Sequence, residues 1–131
     1  MCQYHRMAEG RRTDTGQAEQ VGGLSVVTTA TGGVRVMALA GEIDHHTGGQ
    51  LSRALDVAGA ERPRIVIDMR QVTCMDSTGI NILIAAYQAV TEVGGWLRLA
   101  GPIDSVLRVL QLVGVDDIVE CHPTLHEALA A

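Results

Sequence analysis

From Leu24 onward, apolar residues recur in short clusters separated by glycine and proline. Leu24 to Thr29 is short and β-branched, and Gly32-Gly33 supplies a pair tolerant of positive φ. Val34, Val36 and Ala38 then alternate with other residues as far as Leu39. Two such runs around a Gly-Gly pair predict a β-hairpin, with Gly41 closing its second strand. Leu51, Leu55 and Ala58 fall at helical spacing behind Thr47, a good N-cap residue, and Gly59 and Pro63 end that helix. Arg64 to Met69 is apolar on both faces except at Asp68, the pattern of a buried parallel strand. A polar loop, Arg70 to Asp76, leads to a helix from Ser77 to Gly94-Gly95. Trp96 to Ala100 predicts a further strand, and Pro102 opens a helix to Val113 with Gly114 as its C-terminal stop. Ile118 to Cys121 predicts a last strand, and Thr124-Leu125-His126-Glu127 is a capping box opening a helix to Ala130.

The predicted order is β-β-α-β-α-β-α-β-α. Alternation after the hairpin defines an α/β domain with a mixed, mostly parallel sheet and right-handed crossovers. Residues 1–23 are polar and without apolar period, so they are expected to form a flexible extension ahead of a single domain at 24–131. No apolar run approaches the roughly 20 residues of a membrane span, and Met1 to Gln20 lacks the apolar core of a secretory signal. The expected location is therefore cytoplasmic.

Composition narrows the picture. The chain has 131 residues, enough for one core, and no Phe, so that core must be aliphatic. The formal net charge is −5 and every basic residue is Arg. The first 23 residues are neutral, with three Arg and three acids, so the folded part carries the whole surplus. An acidic domain nearly free of aromatic rings lacks both the basic face and the stacking platforms that nucleic acids require. Cys2, Cys74 and Cys121 are too few and too odd in number for a disulfide framework.

Ligands and partners of open α/β sheets meet the carboxyl ends of strands. Two segments fall there: Gly41-Glu42-Ile43-Asp44-His45-His46-Thr47 and Met75-Asp76-Ser77-Thr78-Gly79. Neither contains a nucleophile elbow, a P-loop, a dinucleotide fingerprint or a zinc-protease motif. The spacing of Cys121, His122 and His126 fits no closed zinc site, and His45-His46 are adjacent and diverge. No enzyme, metal or cofactor is expected. Asp76-Ser77-Thr78-Gly79 reads as a helix N-cap with a close-packing glycine, or as a phosphorylation switch, since a hydroxyl at a helix start is reachable by a kinase. In the helix behind it, Ile80, Leu83, Ile84 and Tyr87 form the expected core stripe. Ile82, Ala85, Ala86 and Ala89 spread apolar character to other faces, which means either deep burial or a surface kept for a protein partner.

Three segments in order, Leu39 to Thr47, Ile65 to Asp68 and Val72 to Ile80, resemble the STAS domain of bacterial anti-sigma factor antagonists. Val115-Asp116-Asp117-Ile118 and His122-Pro123-Thr124-Leu125 fit the family's ending, and the Gly-Glu-Ile-Asp-His-His-Thr segment resembles its sporulation-type branch. The resemblance implies a protein that binds an anti-sigma factor which is also a Ser/Thr kinase of the histidine-kinase-like ATPase fold, so releasing a sigma factor. It implies Ser77 as the phosphoacceptor, whose phosphorylation ends binding, and a PP2C-type phosphatase that restores it. Asp76, Thr78 and Gly79 carry over as motif partners and Asp44 as a contact-loop acid. Thr78 stands where the family often has Ser, which leaves two hydroxyls, with Ser77 preferred by position. The alternative within the fold is a non-switching subunit of a lipid-transport or stress-signalling scaffold complex.

Overall fold

A computed structural model describes residues 17–21, 23–57 and 59–130. Six strands form one sheet: β1 (Gln17–Val21), β2 (Leu24–Thr31), β3 (Val34–Ile43), β4 (Arg64–Met75), β5 (Trp96–Ala100) and β6 (Glu120–His122). Four α-helices accompany them: α1 (Gly48–Ala54), α2 (Ser77–Glu92), α3 (Asp104–Leu112) and α4 (Leu125–Ala130), with a short 3-10 turn at Val115–Asp117. The strands lie side by side in chain order. β1, β2 and β3 are antiparallel, and β3 to β6 are parallel.

That order decides how the helices are placed. Parallel strands added one after another in the same direction, each through a right-handed crossover, send every crossover helix to the same face. Leu51 of α1, Leu83 of α2, and Val106 and Leu110 of α3 accordingly share one core with Leu39, Ile65, Ile67 and Leu97. The opposite face carries a smaller cluster in which Ala128 of α4 packs on Val36, Val66 and Ala100. Arg98 ties α4 down: its Nη1 donates to the Ala128 carbonyl at 3.0 Å while its guanidinium lies 3.7 Å from the centre of the Trp96 ring.

The predicted order stands from β2 to α4, but the bounds differ at several points: the last strand is Glu120–His122 rather than Ile118 to Cys121, and β3 runs past Gly41 to Ile43. Gln17–Val21, within the expected extension 1–23, is a strand. It pairs with β2 along all five residues through the backbone, which needs no apolar period. The segment Arg70 to Asp76, expected as a loop, belongs to β4 as far as Met75. Bulges opposite Ala38–Ala40 and Gly41–Glu42 break its alternation and disguise it. The first helix stops at Ala54 with Leu55 as its cap, and Ala58 lies outside the described residues. Pro102 precedes α3, whose N-cap is Ile103.

Asp68, the polar break in the β4 run, is buried. Its carboxylate accepts from Arg70 through the backbone N–H at 3.1 Å, Nε at 3.0 Å and Nη2 at 2.8 Å. A buried carboxylate is tolerable only with such pairing, and these bonds also shape the first bulge. Cys121 is a free thiol. Burial, and then the charge of Asp116, push the Cys121 thiol up to about 11. At neutral pH it is protonated, a poor nucleophile and a poor metal ligand.

Candidate functional site

The two loop segments meet because their strands pair in parallel. Glu42 lies opposite Cys74 and Ile43 opposite Met75, so both chains leave the sheet at the same level. The Asp76 N–H then donates to the Ile43 carbonyl at 3.1 Å, joining one loop to the other.

Asp76 starts α2 in an extended conformation, and its carboxylate accepts from the Thr78 N–H at 2.9 Å. This satisfies one of the orphan donors of the first turn. Asp76→Ala should therefore cost about 1 kcal/mol, seen as a lower midpoint in urea with unchanged slope. Ser77 is the first helical residue and is exposed, and no hydrogen bond among the described residues holds its hydroxyl. Thr78 is half-buried, with its methyl turned toward α1: a Cβ on Gly48 would stand 2.8 Å from Thr78 Cγ2. Gly79 is buried where a Cβ would come within 2.7 Å of Ile43 Cγ2 and 2.6 Å of Met75 Cγ. Only glycine lets α2 approach the two strand ends this closely.

Asp44 follows the last residue of β3 and turns its carboxylate into its own loop. Its side chain is half-buried, and Oδ1 accepts from the His46 N–H at 2.9 Å and the Thr47 N–H at 3.2 Å. The carboxylate thus builds an Asx turn within its own loop. Thr47 sits at the N-cap position of α1, but its hydroxyl makes no cap bond and turns back into the same loop. The residues the loop exposes are His45 and His46, whose rings lie 4.0 Å apart. Sequence reasoning weighed these histidines only as metal ligands. The Asp-x-x-Thr spacing, which favours a side-chain-closed turn, was the available sign that they face outward.

The core stripe of α2 is Gly79, Ile80, Leu83, Ala86 and Val90, with Ile84 and Tyr87 half-buried at its edge rather than central. On another side of the helix a groove of about 680 Å³ runs against α1, lined by Leu55, Val57, Ile82, Ala85, Ala89 and Val93. Ser77, Asn81 and Ala85 lie four residues apart on one exposed stripe, so the groove continues the surface that begins at Ser77. On the edge strand β6, His122 Nε2 lies 3.1 Å from Glu120 Oε1.

Fold and site together define a small mixed α/β domain whose polar loops gather at one end of the sheet. Residues 25–128 match the STAS domain family, and the chain belongs to it. It is 32% identical over 83 residues to the anti-sigma-B factor antagonist of Listeria monocytogenes, covering 63% of this chain and 73% of that one. An anti-sigma factor antagonist from Mycobacterium paratuberculosis superposes with a TM-score of 0.74 at 30% identity, covering 82% of this chain and 92% of the other. The phosphorylated form of the Bacillus cell fate determinant SpoIIAA superposes with a TM-score of 0.62 at 25% identity, over 80% of this chain and 96% of that one. Among the described residues no helix is long and apolar enough to cross a membrane.

Proposed function

We propose that this chain is an anti-sigma factor antagonist switched by phosphorylation of Ser77. Unmodified, it binds an anti-sigma factor that is also a serine kinase of the histidine-kinase-like ATPase fold, and a sigma factor is released. Phosphorylated, it lets go, and a PP2C-type phosphatase resets it. The observation that carries this reading is an exposed serine hydroxyl, without a hydrogen bond among the described residues, at the capped start of α2 and beside the Asp44 loop. The names of its relatives and the existence of a phosphorylated SpoIIAA support it.

The physics is that of an added charge at an interface. A phosphoryl group brings about −1.5 to −2 charge to a site flanked by Asp76 and the Asp44 loop. In the free protein, water and the helix N-terminus accommodate it, so the fold persists. Against a partner surface the same dianion must be desolvated beside two acids, and the complex is disfavoured. The switch needs no refolding.

The test is ATP-dependent modification by the anti-sigma kinase encoded in the same genome. Wild type should gain about 80 Da, the mass of one phosphoryl group, and release the kinase. Thr78→Ala should gain it too, and Ser77→Ala should not. A mass gain that persists in Ser77→Ala would assign the switch to another residue.

A further inference from the structure

The turn before α1 contains a buried polar group that the phosphorylation switch does not use. Thr47 is only 2% exposed. Its Oγ1 accepts from the Asp44 N–H at 3.0 Å and donates to the Glu42 carbonyl at 3.0 Å. One hydroxyl therefore spans the turn, bonding a donor on one residue and an acceptor two residues earlier. The Asp44 carboxylate closes the same turn from the other side, through the N–H groups of His46 and Thr47. The Asp44 carbonyl completes it by accepting from Thr47 and Gly48.

Both ends of this turn are fastened to the start of α2. Ahead of it, the Ile43 carbonyl takes the Asp76 N–H. Behind it, Gly48 packs so closely on Thr78 that a Cβ would stand 2.8 Å from the Thr78 methyl. Between those fastenings the turn puts His45 and His46 into solvent. A turn built to this extent around a buried hydroxyl does more than connect a strand to a helix: it sets where two exposed rings stand relative to Ser77.

We infer that Thr47 is a positioning residue for partner recognition, its hydroxyl holding the Glu42–Thr47 turn so that His45 and His46 form part of the surface the kinase reads beside Ser77. The assignment rests on the function proposed for Ser77. Valine is the informative substitution. It keeps the branched shape and removes both bonds, leaving the Asp44 N–H and the Glu42 carbonyl unpaired. Because the turn lies at the surface, these groups recover partners by opening the turn to water. The loss then falls on the turn and not on the core.

The experiment measures steady-state phosphorylation of the full chain by the same anti-sigma kinase, with Trp96 fluorescence and thermal melting as reports on the fold. Trp96 is the chain's single tryptophan and packs in the cluster on the opposite face of the sheet. Thr47→Val should raise KM about tenfold, equivalent to about 1.4 kcal/mol of binding, with kcat within about twofold of wild type. Thr47→Ser, which restores the hydroxyl, should return KM to within about twofold of wild type. Asp44 and His46 amides should exchange faster in Thr47→Val, with those of β4 unchanged. A wild type that is phosphorylated alongside a Thr47→Val variant of unchanged KM would overturn this assignment alone. A wild type that the kinase neither binds nor modifies would overturn the proposed function and this assignment with it. A parallel fall in kcat and Trp96 signal would reduce Thr47 to a stability residue.

Discussion

Ser77→Asp is expected to fold as the wild type does and to bind the anti-sigma kinase at least about a hundredfold more weakly, a loss of about 2.7 kcal/mol. The two halves of this expectation have separate causes. In the free protein the new carboxylate occupies the first position of α2, whose first turn otherwise contains no acid. Charge there interacts favourably with the helix N-terminus, by a few tenths of a kcal/mol up to about 1 kcal/mol, so melting should be unchanged or slightly raised. In the complex the same carboxylate loses water beside Asp76 and the Asp44 loop, and an uncompensated charge buried at an interface costs several kcal/mol. Titration calorimetry of the two proteins, with a melting curve of each, reads both halves. Binding within about threefold of wild type would show that charge at this position is not what the partner senses.

The largest expected effect on stability lies at Gly41, near the end of β3 and ahead of the Asp44 loop. Its φ is +114°, and a Cβ there would fall on the Gly23 carbonyl oxygen. That oxygen already accepts the Glu42 N–H at 3.0 Å. Gly41→Ala therefore meets backbone strain of about 1–3 kcal/mol and a steric overlap worth a further 1–3 kcal/mol. The overlapping atom belongs to the backbone and has no rotamer to adopt. The total, about 2–6 kcal/mol, should lower the melting temperature by about 6–30 °C in a domain of this size. A shift below about 3 °C would mean that β2 and β3 separate freely at this point.

These two residues also show how differently parts of the site could be read from the chain. The start of α2 was legible because its signals are local. Asp, Ser and Thr before an apolar period announce a cap, and Asp76 caps Thr78 as that pattern requires. The hairpin was legible for the same reason, with Gly32 and Gly33 at φ of +57° and +83°. The final helix followed its capping box, the Glu127 N–H donating to Thr124 Oγ1 at 3.1 Å. β1 was not legible, because a polar segment can pair through its backbone without any pattern in its side chains. The second half of β4 was hidden by its bulges, which place the buried residues Val72 and Met75 three apart rather than two.

The role of Asp44 shows the limit most plainly. The resemblance implies a contact-loop acid at Asp44 but carries no information on the direction of its carboxylate. That direction depends on Thr47, which local preference assigns to the helix cap and which the fold turns back toward Glu42.

By itself, the sequence determined the hairpin, the alternation of strands and helices, the aliphatic core and the capped serine. Each of these rests on the conformational preferences of a few neighbouring residues. Tertiary structure alone decided that three helices share one face and that the Asp44 and Ser77 segments stand side by side. Those outcomes depend on parallel register between β3 and β4, which pairs residues about thirty positions apart and leaves no mark in any local window.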